Sequence, residues 1–166
     1  TSWERGEPLD MRTPTLLFVW RAMFATAFCW RWYSFGLLLG IGFHCLLRPG
    51  ELLNLTWGDL LLDSEQDDLE GYGIVAIEQP KTRFSAGRVQ HVLVLRPWLT
   101  YVILFVRAML QPADDNRIFP YGYSTFLSRW RQLVTALGMP LIWTPGGLRA
   151  GGATYLYRVG LAVDAL

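Results

Sequence analysis

The chain has too little charge, of either sign, for several classes of protein. Charged residues make up 17% of its 166 residues, and the formal net charge is +1. Disordered chains are richer in charge and poorer in apolar residues than this one, which is 52% hydrophobic. The chain also lacks the basic excess that is typical of an autonomous nucleic-acid-binding domain. We therefore expect a folded protein whose net charge alone gives no strong affinity for DNA.

No apolar run is long enough to predict a membrane span. The longest one, residues 34–47, carries no formal charge but falls short of the roughly 20 residues that cross a bilayer. Arg21 and Arg31 interrupt the pattern upstream, and residues 1–10 do not resemble a secretory signal. We expect a buried core helix, no membrane partner and a location inside the cell, nuclear if the source is eukaryotic and cytoplasmic otherwise.

Cysteine and histidine are scarce. Cys29 and Cys45 lie in apolar helical surroundings without a CxxC spacing, which favours a reducing compartment over a disulfide framework. His44 lies in an apolar helix and His91 in a strand, with no second ligand or nucleophile motif at a useful spacing. Core or surface roles suffice for both, and we expect no metal and no small-molecule cofactor.

The first half of the chain reads as helical. Residues 14–47 predict one long helix or two successive ones, with a break at 33–36. Pro49 suits a first helical position and predicts a short helix to about Trp57. The acidic stretch 63–70 lacks the spacing of a calcium loop and predicts a solvated turn.

The second half combines a hairpin with further helices. Residues 74–77 and 89–95 are rich in β-branched side chains, and turn formers and basic residues separate them, so they predict a β-hairpin with a basic tip. Three helices should follow: residues 97–110, residues 123–137 with Gly138 as the C-terminal cap, and one from Thr144-Pro145 to about Gly160. Together these elements predict a single, mainly helical α+β domain over residues 1–166.

Three basic residues stand at junctions between predicted elements, where side chains from distant parts of the chain can converge. They are Arg48 before a helix, Lys81 on the hairpin tip and Arg149 early in the last helix. A lone arginine or lysine is usually a solvated surface group, so each residue by itself is weak evidence. Their order along the chain and the residues around them are stronger evidence.

Those contexts resemble the tyrosine recombinase (phage integrase) family. Residues 46–60, LLRPGELLNLTWGDL, are similar to the family segment in which an arginine precedes Glu-Leu, Leu and Trp-x-Asp. Residues 80–83, PKTR, resemble its hairpin lysine motif, and residues 144–149, TPGGLR, its second-arginine box, all in the family's order. The pairing of RPGE with LRAGGAT at 148–154 looks most like recombinases of eukaryotic mobile elements.

The resemblance covers residues 37–166 and implies the helical catalytic-domain fold of that family with a small antiparallel sheet. It implies DNA recombination or integration by site-specific strand cleavage and rejoining. Double-stranded DNA is the implied partner, and a homo-oligomer on DNA is the implied assembly.

The resemblance also implies roles for individual residues. Arg48 and Arg149 would clamp the DNA phosphate, because guanidinium groups donate paired, charge-assisted hydrogen bonds to its oxygens. Lys81 would protonate the departing 5′ oxygen as a general acid. Glu51 would have a supporting role, as a first-turn carboxylate beside Arg48. Two other basic residues of the hairpin would contact DNA: Arg83 and Arg88.

Two departures from the family pattern bear on catalysis. Gly146 stands where the family usually has a histidine. The family's nucleophilic tyrosine lies on a later helix, beyond Leu166, so we expect a C-terminally incomplete domain that cannot cleave DNA. Tyr155 and Tyr157 are expected to be core residues and not substitutes. The alternative is a non-catalytic DNA- or protein-interaction domain derived from a recombinase.

Overall fold

The computed structural model describes residues 13–62, 72–77 and 89–160 and has a mainly helical α+β fold. The helices are α1 Leu17–Cys29, α2 Tyr33–His44, α3 Pro49–Asn54, α4 Pro97–Leu110, α5 Tyr123–Ala136 and α6 Gly147–Arg158. The strands are β1 Leu60–Leu62, β2 Gly73–Ile77 and β3 Gln90–Val94, and a 3-10 turn covers Trp57–Asp59. Both strand pairs are antiparallel, in the order β1-β2-β3. The predicted fold class is confirmed.

The centre of the core is α2, in which every residue from Phe35 to His44 is buried. A helix that is apolar all round must be covered on all sides. Accordingly α1, α3, α4 and α6 all pack against it. The chain leaves α2 at Cys45 and reaches Arg48 three residues later, so the central helix fixes where that arginine lies.

The predicted break at 33–36 was wrong, since these residues form the first turn of α2. The chain instead breaks at Arg31, whose φ of 59° is left-handed. The amide of Arg31 donates to the carbonyl of Phe28, and that of Trp32 to the carbonyl of Ala27, at 3.0 and 2.9 Å. This is a Schellman ending with arginine in the position that usually holds glycine, so the sequence gives no stop signal there.

The segment after α3 also differs from the prediction, because long-range pairing draws it out of the helix. The helix ends at Asn54, and the carbonyl of Leu55 accepts the amide of Ile118 at 3.0 Å. Thr56 then forms an antiparallel bridge with Arg117. Strand β1, which the sequence analysis missed, follows and pairs with β2.

Strands β2 and β3 form the predicted hairpin, while its tip at 80–87 and the acidic stretch 63–70 lie outside the described residues. In the ranges that are described, no helix combines the length and apolar character needed to cross a bilayer.

Candidate active site

Arg48 is the N-cap of α3, with extended backbone immediately before Pro49. The Glu51 carboxylate accepts two hydrogen bonds from it, one from the Arg48 backbone N–H at 2.8 Å and one from Nη1 at 3.0 Å. The Glu51 side chain is only 10% exposed, whereas that of Arg48 is 37% exposed. Glu51 therefore fixes one side of the guanidinium, and Nη2 and Nε have no partner among the described residues.

Arg149 is the third residue of α6, and its side chain is exposed. Across the described ranges it makes no hydrogen bond and no ion pair. A guanidinium with five donors and no protein acceptor can bind an anion without first breaking an internal contact.

Glycines let α6 approach its neighbours more closely than any other residue would allow. A Cβ on Gly152 would lie 1.8 Å from the carbonyl oxygen of Phe43, and one on Gly151 would lie 2.0 Å from that of Thr15. The amide of Thr15 also donates to the carbonyl of Gly147 at 3.0 Å. Helix α6 is therefore held between residues 13–15 and the end of α2, which fixes the position of its N-terminal turns.

The helices that carry the two arginines meet over Gly42 of α2. A Cβ at this position would lie 2.7 Å from Cδ1 of Leu52 in α3 and 3.2 Å from Cδ1 of Leu148 in α6. Leu148 directly precedes Arg149. The structure thus brings together the two elements that bear the predicted clamp residues.

A polar cleft of about 320 Å³ borders this region. Glu51 of α3 and Ile77, the last residue of β2, both line it, so the end of the β2–β3 hairpin that leads to its tip lies close to the carboxylate that holds Arg48. Arg117 also lines the cleft, although the sequence analysis did not single it out. It reaches the cleft through its bridge to Thr56, a long-range pairing for which the sequence contains no local signal.

Lys81, Arg83 and Arg88 lie outside the described residues. Their predicted roles therefore stay predictions.

Gly146, at the position where the sequence resemblance predicts a histidine, is the N-cap of α6. His44 does not supply an imidazole in its place. His44 is 6% exposed and its ring lies among aromatic rings, with Trp20 at 4.8 Å and Trp98 at 5.3 Å between centroids. Burial, then the positive charges of Arg96 and Arg21, lower the pKa of His44 from 6.5 to about 4. His44 is therefore a neutral core residue at neutral pH. His91 is exposed on β3.

The two tyrosines of α6 lie in different environments. Tyr155 is half-buried against the core, and its hydroxyl accepts a hydrogen bond from Nη2 of Arg96 at 3.2 Å. Tyr157 is 76% exposed, so the core prediction was wrong for this residue. The buried face of α6 consists of its glycines with Leu148 and Leu156, and Tyr157 lies outside that face.

Neither cysteines nor acidic clusters form a metal centre in the described ranges, where no group of three or more metal-ligating side chains occurs. Cys29 is exposed and Cys45 is buried, and both are free thiols. Burial raises the pKa of the Cys45 thiol to about 12, which keeps it protonated and unreactive.

The charges are unevenly distributed along the chain, and the net charge conceals this. Residues 11–50 and 116–163 contain no aspartate or glutamate. Helices α1, α2, α5 and α6 come from these two segments, and α1 packs against each of the other three. The described parts of the segments contain eight arginines: Arg21, Arg31, Arg48, Arg117, Arg129, Arg131, Arg149 and Arg158. Helices α1, α2, α5 and α6 therefore carry no acidic side chain, and of the eight arginines Arg48 pairs with Glu51 of the neighbouring helix α3.

Comparison with known proteins identifies the fold but not the family. No family model matches the chain, and no curated protein sequence matches it. Among solved structures it is similar to the crystal structure of XerA recombinase, with a TM-score of 0.66 and 18% identity. The match covers 97% of this chain and 55% of that one, so the chain spans about half the length of the recombinase. The fold is recombinase-like.

Proposed function

We propose that the chain is a tyrosine recombinase catalytic domain, here over residues 1–166, in which Arg48 and Arg149 clamp a DNA phosphate. The observation that carries the proposal is the packing of Leu52 and Leu148 on Gly42, which joins the helices of the two arginines. The recombinase-like fold and the order of the sequence motifs support it.

The chemistry of strand transfer suits these groups. The non-bridging oxygens of the phosphodiester gain negative charge in the transition state, and preorganised donors aimed at them stabilise it. Glu51 holds Arg48 in place by two hydrogen bonds, while Arg149 makes no hydrogen bond or ion pair with the described residues. Lys81 would then deliver a proton to the departing 5′ oxygen.

The nucleophile is a separate matter. The hydroxyl of Tyr155 is hydrogen-bonded to Arg96 and its ring packs on the end of α2, so Tyr155 is not proposed as the nucleophile. The motifs RPGE and LRAGGAT support an origin among the recombinases of eukaryotic mobile elements.

Duplex DNA is the proposed partner, and the helical half without carboxylates supports it. Lysines and arginines that neutralise phosphates displace condensed counterions, which makes binding salt-dependent. Further contacts would come from Arg83 and Arg88 on the hairpin.

The experiment is a titration of a short DNA duplex by fluorescence anisotropy at several salt concentrations. Arg48→Ala and Arg149→Ala should each weaken binding about ten-fold and lower the slope of log affinity against log salt by about 0.9. Arg158→Ala is the matched control, because it removes an exposed arginine from the last turn of α6. Equal, salt-insensitive affinities for all four proteins would refute the proposal.

The alternative is a protein-interaction domain, and one surface favours it. Helix α4 exposes large apolar side chains at helical spacing, among them Tyr101, Phe105 and Met109. Such patches often mark protein contacts. Sedimentation of the wild type and of Tyr101→Ser with Phe105→Ser tests this alternative: self-association that the variant abolishes, together with no DNA binding, would favour it over the recombinase proposal.

A further inference from the structure

Arg129 of α5 lies among aromatic rings. Its Cζ is 5.1 Å from the ring centroid of Trp32, 5.3 Å from that of Phe119 and 5.0 Å from that of Tyr121. Cation–π contacts hold a guanidinium in position but do not replace the oxygen acceptors that its N–H donors prefer. Neither of the ion pairs between described residues involves Arg129, so no acidic group of the described ranges pairs with its charge.

The aromatic contacts continue to Trp30, at the end of α1. The turn between α1 and α2 places Trp30 beside Trp32, with 4.9 Å between the ring centroids. Trp30 also lines an open groove along α5 together with Arg131, whose side chain is exposed. Trp30 is 40% exposed and Tyr121 is 49% exposed, so both rings present apolar area to solvent. We call the side chains of Trp30, Trp32, Tyr121, Arg129 and Arg131 the aromatic–arginine surface.

The aromatic–arginine surface belongs to the segments without carboxylates. All its members lie within residues 11–50 and 116–163, which contain no aspartate or glutamate. Arg31, exposed in the turn between the two tryptophans, adds a further positive charge. Positive charge beside exposed aromatic rings complements a polyanion that also offers flat, apolar faces. Nucleic acids have that combination of properties.

An unpaired strand fits this surface better than a duplex does. In a duplex the bases stack on one another, so that their edges and the phosphates are accessible but their flat faces are not. The bases of a single strand can stack on aromatic side chains while the backbone lies along positively charged groups. The exposed rings of Trp30 and Tyr121 can therefore stack on unpaired bases only.

The aromatic–arginine surface and the proposed phosphate clamp lie at opposite ends of the central helix. Trp32 is the N-cap of α2, whereas the helices of the two clamp arginines meet over Gly42, near the other end. At roughly 1.5 Å per residue, these two positions are about 15 Å apart along the helix. Substitutions of exposed side chains at one end should therefore leave the other end intact.

We propose that the aromatic–arginine surface binds single-stranded DNA, with bases stacked on Trp30 and Tyr121 and phosphates bound by Arg129 and Arg131. The choice of DNA over RNA rests on the proposed function, since the exchange of strands between duplexes unpairs DNA bases.

The test is a fluorescence-anisotropy titration of the full chain with a labelled oligothymidylate of about 12 nucleotides. Trp30→Ala and Tyr121→Ala should each weaken binding at least about five-fold, because each removes a ring on which a base stacks. Tyr157→Ala is the control, because it removes a more exposed ring from α6, and it should bind as the wild type does.

The arginines are tested through the salt dependence of the same titration. Arg129→Gln and Arg131→Gln should each lower the slope of log affinity against log salt by about 0.7, the value for one phosphate of a single strand. Arg158→Gln removes an exposed arginine from α6 and should leave the slope unchanged. Melting curves establish that each protein is folded, and the exposed Arg131 provides the test if Arg129→Gln does not fold.

The outcomes separate this inference from the proposed function. Arg48→Ala and Arg149→Ala should weaken binding of a duplex and leave the affinity for oligothymidylate unchanged, and an unchanged duplex affinity overturns the proposed function. Equal oligothymidylate affinities for the wild type, Trp30→Ala and Tyr121→Ala, or no binding at all, overturn the inference and leave the clamp intact.

Two other occupants of the surface are also tested. Tighter binding of an oligouridylate RNA than of oligothymidylate overturns the assignment to DNA. Self-association in sedimentation that Trp30→Ala abolishes, without any binding of oligothymidylate, overturns the inference in favour of a protein contact.

Discussion

Lowering the pH should destabilise this protein through one residue, His44. Its ring is buried, and neither ring nitrogen has a hydrogen-bond partner among the described residues. Burial first, and then Arg96 and Arg21, lower the pKa of His44 to about 4, against 6.5 for a free imidazole. Between these two pH values the unfolded state therefore binds a proton at His44 and the folded state does not.

The sign and size of the effect follow from this difference. Above pH 6.5 both states are neutral at His44 and stability is unaffected. Between pH 6.5 and about 4 only the unfolded state binds the proton, so the free energy of unfolding falls, and below that range the loss is complete. At about 1.4 kcal/mol for each tenfold difference in proton affinity, the full loss is about 3 kcal/mol. Domains of this size have about 5–15 kcal/mol of stability in all.

Urea denaturation at pH 7.5, 6, 5 and 4.5 measures this loss. His44→Leu should be as stable as the wild type or more so at pH 7.5, because it removes two unsatisfied polar atoms, and should lose about 2.5 kcal/mol less between pH 7.5 and pH 4.5. Carboxylates titrate in both proteins, so the difference between the two curves isolates His44. The exposed His91→Leu is the control and should follow the wild type. Parallel curves for wild type and His44→Leu would refute the reasoning.

Three further substitutions test the packing and the site. Gly152→Ala would place a Cβ 1.8 Å from a backbone oxygen of α2 and should cost at least about 3 kcal/mol in thermal unfolding, whereas Gly50→Ala, with open space around it, should be neutral. Arg31 has a left-handed backbone with φ 59°, which strains any residue that has a Cβ. Arg31→Gly should therefore raise the free energy of unfolding by about 1 kcal/mol in urea denaturation, and an unchanged or lower midpoint would contradict this. Glu51→Gln weakens a charge-assisted pair at 3.0 Å, so DNA affinity should fall a few-fold with the melting temperature lowered by only a few degrees; an unchanged affinity would contradict its supporting role.

Local signals in the sequence were sufficient for the later helices. The observed α4 has the predicted bounds of 97–110, because Pro97 suits a first helical position. Helix α5 ends one residue before the predicted limit, and Gly138 follows with a φ of 64°. In both cases one residue with a strong conformational preference marks the boundary.

Features that depend on distant partners could not be predicted. The three leucines of β1 suit a helix as well as a strand, and only pairing with β2 decides between them. The bridge from Thr56 to Arg117 and the contact from Arg96 to Tyr155 join residues that no local pattern relates.

In the candidate site, too, local signals could be predicted and contacts between distant residues could not. The motifs located Arg48 and Arg149 and placed both near helix starts. The meeting of their helices, however, depends on Gly42, whose missing side chain leaves room for two leucines from different parts of the chain. That glycine lies inside an apolar helix, and nothing in its neighbourhood distinguishes it from Gly40 or Gly36.

Net charge was the least informative quantity for function, and the reason is physical. A charge of +1 is a sum over the whole chain, whereas charges more than about one Debye length apart, roughly 10 Å at 0.1 M salt, scarcely affect each other in solution. Ten of the 14 acidic residues lie outside residues 11–163 or between 63 and 78, and the helical half formed by α1, α2, α5 and α6 contains none. A polyanion that approaches that half meets the field of its arginines and not the average of the molecule. A near-neutral chain can therefore bind DNA with a salt dependence that its overall charge does not predict.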